Sequence, residues 1–343
     1  MKNNQKRFQL EQIYLLLTRK CNLSCSHCIR SSNPYFTELI DKKLAFSIIE
    51  KLSEVSSEAS MLLSGGEPTL HPDFYEIASK SADAFRNVVV NTNGLRYKQL
   101  KEVSKLPNVS IQISIDGDEV AHDKIRGDGT YKKTLLNISK LSGLGVNVIV
   151  ATTVTKHNYQ SISALDRDLS VINFNYWNVK RVVGSGRADD SDDLTTSVWN
   201  DFVYKIKNET MNIDRLRIAT MFSDSAFNNA AMDAVGDKNV NLFRQNCGTG
   251  RSKLYVNPNG TVYPCACMEQ VIIGDFNLES TVSILDNISS MSIEPQKEAS
   301  CHKCPAWGLC HGGCPGAAKR TKFPTLGDPR CPSVSKGLIN YGL

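Results

Sequence analysis

The sequence predicts an α/β chain: a partial TIM barrel of six β/α units, (β/α)6, followed by a small cysteine-rich domain. Three observations predict it. Short apolar runs alternate with helix-periodic segments through the first 180 residues, the pattern of a parallel sheet. The units number six, short of the eight that close a barrel. Eight of the eleven cysteines lie in the last hundred residues, too dense for an ordinary core and suited to metal.

Residues 13–17 are the first strand, and they deliver a loop with three cysteines. Residues 44–55 are helical, with Leu44, Ile48, Ile49 and Leu52 on one face. The second strand, 60–63, runs into Ser64-Gly65-Gly66-Glu67-Pro68. A helix over 74–84 precedes the third strand, 88–90, which ends in Asn91-Thr92-Asn93-Gly94. Residues 100–106 are helical, and the fourth strand, 109–115, ends in Asp116-Gly117. Helix 134–141, strand 146–154, helix 161–169 and strand 172–179 complete the six units. In barrels of this kind active residues sit at the C-terminal ends of strands. Each distinctive cluster falls there, and that co-location weighs more than any one motif.

Composition narrows the partners. The 343 residues suit one large domain and a smaller one. No run reaches 18 apolar residues, which argues against a membrane span. The net charge is +5, with no basic stripe interleaved with aromatics, so nucleic acid is not the expected partner. Residues 1–9 are polar and charged rather than a secretory signal. Eleven cysteines without an export signal point to metal or redox work in a reducing, cytoplasmic setting.

Cys21, Cys25 and Cys28 read CX3CX2C. Three thiolates in one short loop can hold three irons of a [4Fe-4S] cluster, most of which take four cysteines. No fourth cysteine follows within two hundred residues, so the fourth iron is left for an outside ligand. A zinc knuckle would want a nearby fourth ligand, and His27 adjoins Cys28 too closely to turn to the same metal. Further on stand Cys247, Gly260 and Cys265, reading CX12GX4C, then Cys301-X2-Cys304-X5-Cys310-X3-Cys314, and Cys331. Two zinc ribbons would explain CX2C but not the whole series. Cys267 stands outside it, two residues from Cys265.

With these motifs the chain resembles a radical S-adenosylmethionine (SAM) enzyme carrying a C-terminal SPASM extension, as in maturases of ribosomal peptides. The resemblance rests on Cys21, Cys25, Cys28 and the literal Gly65-Gly66-Glu67-Pro68, then on the seven C-terminal cysteines at family spacing. It implies SAM as cofactor, chelating the open iron, and three [4Fe-4S] clusters in all. Gly65, Gly66, Glu67 and Pro68 would line SAM, with Glu67 accepting hydrogen bonds from its ammonium. Ser114 and Asp116 would meet the ribose and Arg126 the carboxylate; Asn93 would stand with Arg126 at the mouth. Alone, Arg126 reads as a surface ion pair and Asp116 as a turn former. His27 holds the place of an aromatic near adenine.

The resemblance assigns Cys247, Cys265 and Cys314 to one auxiliary cluster, and Cys301, Cys304, Cys310 and Cys331 to the other. For the first, Cys267 is either the fourth ligand or a spare thiol; a third option is an open iron that meets substrate. The division expected is 1–186 for the barrel core, 187–246 for a helical connector and 247–343 for the SPASM domain. His71, His122, His157, His302 and His311 read as surface or local hydrogen-bonding residues. The acidic run 188–193 reads as a solvated linker capping a helix near Val198. Tyr176 and Trp177 read as core or rim packing.

The activity implied is oxidative crosslinking of a ribosomal precursor peptide, carbon–carbon first and thioether second. An anaerobic sulfatase-maturing enzyme, a tetrapyrrole or other small-molecule oxidase, and a non-enzymatic electron carrier are the alternatives; a carrier has no need of residues 65–68. A reductant such as flavodoxin or ferredoxin is implied. With 20 residues before Cys21 and 12 after Cys331, no leader-binding domain fits. The barrel–SPASM surface or a separate partner protein would then read the peptide.

Overall fold

A computed structural model of the protein describes residues 10–218, 248–250, 252–291, 312–318, 327–331 and 334. The parallel strands are β1 (Gln12–Thr18), β2 (Ser60–Gly65), β3 (Asn87–Thr92), β4 (Val109–Ser114), β5 (Val148–Val154), β6 (Tyr176–Arg181) and β7 (Leu216–Ile218). Three more, β8 (Lys253–Val256), β9 (Thr261–Tyr263) and β10 (Gly274–Asp275), extend the other edge. The order in the one sheet is β10-β9-β8-β1-β2-β3-β4-β5-β6-β7. It is an open, partial barrel. The helices are α1 (Lys42–Ser56), α2 (Phe74–Ala84), α3 (Tyr97–Val103), α4 (Glu119–Arg126), α5 (Thr130–Gly143), α6 (Ile162–Ser170), α7 (Thr196–Glu209), α8 (Thr281–Ser290) and α9 (Pro315–Ala318).

Alternation along the strands builds two unlike faces. Val88, Val90, Ile111, Ile113, Val148 and Val150 are buried in one core with Ile48, Ile77, Ile138 and Leu165 of the helices. On β3, β4 and β6 the opposite face carries the half-buried polar residues Asn91, Gln112 and Asn178. Asn91 of β3 lies in register with Gln112 of β4, and Gln112 Nε2 donates to Asn91 Oδ1 at 2.8 Å. Asn178 Nδ2 of β6 donates to Gln112 Oε1 at 3.2 Å.

Four differences from expectation have local causes. The sixth strand starts at Tyr176, because Asn175 Oδ1 takes the Val148 N–H at 2.9 Å and breaks the run before it. The seventh strand, three residues long, carries no periodic signal. The short α4 is polar, with Asp118 capping it through the Ala121 N–H at 2.9 Å, so no apolar stripe announced it. The acidic run does not cap α7: Thr195 Oγ1 accepts from Val198 N, while Asp193 pairs with Arg181 Nε at 2.7 Å. Trp177 is buried, donating Nε1 to Thr152 Oγ1 at 2.9 Å, whereas Tyr176 is 43% exposed. His71 and His122 are buried and hydrogen-bonded rather than on the surface; His302 and His311 lie outside the described residues. Among the described residues no helix is long and apolar enough to cross a membrane.

Candidate functional site

The three barrel cysteines line one cavity of about 150 Å³ at the C-terminal ends of β2, β3 and β4. Ser64, Gly66, Asn91, Asn93, Ser114, Arg126 and Arg187 share its wall. Cys21 and Cys25 are buried and Cys28 is half-buried. Burial pushes the Cys21 thiol up to about 12. Metal binding removes that proton outright.

The loop is held from several elements. Cys21 N donates to Asn33 O at 3.0 Å, and Ser26 N to Ile125 O of α4 at 2.9 Å. Gly66 N donates to Thr18 O at 2.7 Å and Glu67 N to Lys20 O at 2.9 Å. These bonds explain the two glycines. A Cβ on Gly65 would stand 2.3 Å from Thr18 O, and one on Gly66 2.2 Å from Lys20 O. Any side chain there would push the turn off the cysteine loop. The close approach is therefore to the loop itself.

Glu67 does not face the cavity. It is fully buried; its Oε1 accepts from Thr69 Oγ1 at 2.6 Å and Thr92 Oγ1 at 2.8 Å, and its Oε2 from Asn93 N at 2.9 Å. Burial pushes its carboxyl above the usual range, against those donors. The carboxylate thereby ties the end of β2 to the end of β3. Pro68 opens the short 3-10 turn Pro68–Leu70 beside it. Asn93, fixed this way, donates Nδ2 to Asn22 Oδ1 at 2.8 Å on the cysteine loop.

Asp116 is likewise an internal hub. Its Oδ2 accepts from Arg126 Nε at 2.6 Å and pairs with His27 Nε2 at 2.7 Å; its Oδ1 accepts from Thr153 N at 2.8 Å. Burial alone would raise its pKa, but the Arg126 guanidinium and His27 hold the carboxyl well below the usual carboxylate range. Arg126, paired through Nε, turns Nη1 to 3.8 Å from Cys25 Sγ. His27 is thereby tied by Nε2 to the same carboxylate that orients Arg126. Ser114 and Arg126 do reach the cavity wall.

Two residues were not anticipated. Arg187 donates Nε to Cys25 O at 2.7 Å, Nη2 to Ser32 O at 2.8 Å and its backbone N to Cys28 O at 3.0 Å. Gly186 lets that happen, since a Cβ there would stand 2.3 Å from Cys28 O. The only trace in the sequence is Gly184-Ser185-Gly186-Arg187 just past a strand.

A second thiol group forms beyond β9. Cys267 N donates to Cys265 Sγ at 3.4 Å, and its thiol interacts electrostatically with those of Cys265 and Cys314. Gly316 of α9 packs against it, where a Cβ would stand 2.5 Å from Cys267 Cβ. Cys314 N donates to Asp328 Oδ2 at 2.9 Å, and Arg330 grips the same carboxylate through Nε at 2.9 Å and Nη2 at 2.7 Å. Cys331 N donates to Asp328 O at 3.0 Å. Cys247, Cys301, Cys304 and Cys310 lie outside the described residues. Among the described residues no three His, Cys, Asp or Glu side chains are arranged around a single metal ion. Thiols spread over a cavity suit a larger, multi-iron group.

Residues 15–169 match the Radical SAM superfamily, and residues 247–305 match the SPASM iron-sulfur cluster-binding domain. Mycofactocin maturase MftC of Mycobacterium tuberculosis is 28% identical over 334 residues, covering 92% of this chain and 81% of MftC. The sporulation killing factor maturation protein SkfB of Bacillus subtilis is 38% identical over 152 residues, 43% of this chain and 37% of SkfB. The fold is that of Streptococcus suis SuiB bound to S-adenosylmethionine, with a TM-score of 0.74 at 15% identity over 95% of this chain and 78% of SuiB.

Proposed function

The chain belongs to the radical SAM superfamily and carries a SPASM domain, and from that premise we propose that it is a peptide maturase that oxidatively crosslinks a ribosomal precursor peptide. The observation that carries the reading is the pairing of two thiol groups on one sheet. One lies at the mouth of the parallel strands, the other beyond the strands added to β1. When bound, SAM would supply the chemistry that removes a substrate hydrogen at the first centre, and the auxiliary centres would offer a place for the second electron that a crosslink releases.

The residues present fit that equipment. Cys21, Cys25 and Cys28 would hold the barrel cluster, and the wall formed by Ser64, Gly66, Asn93, Ser114 and Arg126 would hold SAM. Asp116 keeps Arg126 charged and aimed at the cavity. The half-buried row Asn91, Gln112 and Asn178 leads from that cavity across the sheet, offering hydrogen bonds to a peptide. MftC and SkfB are named as maturases, and SuiB has been solved bound to its precursor peptide SuiA. A reductant such as flavodoxin or ferredoxin supplies the electrons, and a separate protein serves for leader binding if the chain's own surface does not. Carbon–carbon linkage comes first and thioether second.

The test is incubation with a precursor peptide encoded beside this chain, SAM and a reductant. The expected product is two hydrogens lighter, with one deoxyadenosine per crosslink. A product of unchanged mass carrying one solvent deuterium at Cα would show epimerisation and sink the crosslink reading.

Cys267 is proposed as a ligand of the first auxiliary cluster, with Cys247, Cys265 and Cys314. Its N–H bond to Cys265 Sγ at 3.4 Å and its packing on Gly316, two residues after Cys314, support this. Cys267→Ala is expected to alter that cluster's EPR spectrum and lower turnover at least tenfold, about 1.4 kcal/mol in the barrier. An unchanged spectrum at full turnover would make it a spare thiol.

A further inference from the structure

Arg30 stands two residues after Cys28, yet it is absent from the cavity wall. Its side chain is 7% exposed and points to the other thiol group. Nη1 donates to the Tyr263 hydroxyl and to the Glu269 carboxylate. Tyr263 lies two residues before Cys265, and Glu269 two after Cys267. One side chain therefore grips both ends of the second cysteine loop.

The seat for this guanidinium is built from three strands. Tyr14, Tyr255 and Tyr263 face one another in register across β1, β8 and β9. Their rings stack at 4.1 Å and 5.8 Å. With Leu16 they form an apolar cluster apart from the main core. The guanidinium lies 5.2 Å from the Tyr255 ring and 5.1 Å from the Tyr263 ring. A flat, weakly hydrated, forked cation can stack and donate at once; an ammonium cannot. Tyr263 is itself oriented, donating its hydroxyl to Asn257 Oδ1 at 2.9 Å.

We propose that Arg30 is a positioning residue that sets the place and the charge surroundings of the auxiliary centre at Cys265 and Cys267 relative to the barrel centre at Cys28. The inference rests on the reading of both thiol groups as iron–sulfur ligands. A fixed cation favours the reduced, more negative form of a nearby cluster. Glu269 offsets only part of that charge, because its side chain is 32% exposed and screened by water while Arg30 is not.

The test uses full-length protein with Cys21, Cys25 and Cys28 replaced by Ala, which carries the auxiliary centres alone. Arg30→Met, Arg30→Lys and Tyr263→Phe are added to it, loaded with iron and sulfide, and titrated with reductant under EPR. Arg30→Met is expected to lower the midpoint potential of one auxiliary centre and change its line shape. Arg30→Lys restores the potential but not the line shape, since the charge returns without the fork. Tyr263→Phe changes the line shape alone. Loss of one auxiliary centre in Arg30→Met and its recovery in Arg30→Lys also supports the assignment. Unchanged potentials and line shapes, or loss of iron in both Arg30 variants with Tyr263→Phe unaffected, overturn it. A parent without auxiliary iron overturns the cluster reading instead, and this inference with it.

Discussion

Replacing Cys21, Cys25 and Cys28 together by Ala is expected to abolish SAM cleavage and to lower the iron content from about twelve to about eight per chain, counting four irons for each cubane cluster. The three thiols line one cavity, and the rest of the wall holds no His, Asp or Glu among the described residues. No other residue of the wall can therefore take over as a ligand. The second thiol group keeps partners of its own: Gly316 packs on Cys267, and Asp328 accepts from Cys314 N. Its irons should remain. Iron analysis and the yield of deoxyadenosine under reducing conditions read both effects. Full SAM cleavage by the triple variant would remove the barrel loop from the chemistry. About four irons in the parent would remove the auxiliary clusters.

Asp116→Ala is expected to cost about 3–5 kcal/mol of stability, because it leaves a buried guanidinium without its counter-charge. Arg126 is 11% exposed and Asp116 fully buried. The loss is large against the roughly 5–15 kcal/mol that separates most folded domains from unfolded ones. Denaturant unfolding of the iron-free protein measures it, and a change below about 1 kcal/mol would show that Asp116 is no hub. The sign with pH follows from the depressed carboxyl. The contribution is fully present above the ordinary Asp value near pH 4 and is lost as pH falls through the lower folded value. SAM turnover should fall too, since Arg126 then loses the Nε partner that aims it beside Cys25.

Legibility in the sequence followed range. The β/α units were readable because alternation and helical period are local, and Phe74–Ala84 fell where its pattern put it. The barrel cysteines and residues 65–68 were readable because spacing within a loop is local too. The inward turn of Glu67 was not, since its partners Thr92 and Asn93 lie a whole β/α unit away. Arg187 was hidden for the same reason: its acceptors, Cys25 O and Ser32 O, precede it by 162 and 155 residues. A guanidinium that binds backbone carbonyls leaves no complementary residue type in the sequence to be noticed. The three residues of β7 and the two of β10 are too short for any period to show.

The place of β1 in the sheet bears on how the chain is made. Among the described strands it is synthesised before the other nine, yet it ends in the interior of the sheet, with β2 on one side and β8 on the other. Gln12 to Leu15 pair with Lys253 to Val256. At roughly 5–20 residues per second, that edge waits on the order of ten seconds or more for its second neighbour. Until then Ile13, Leu15 and Leu16 sit on an uncapped edge, the kind of surface that recruits other chains. Pairings of such long range also close slowly once the residues are available. The nascent chain should therefore depend on a holding chaperone, or on slow synthesis at low temperature, more than a barrel closed from its own neighbours would. Yield of folded protein should be set by the arrival of β8 rather than by the stability of the parallel strands.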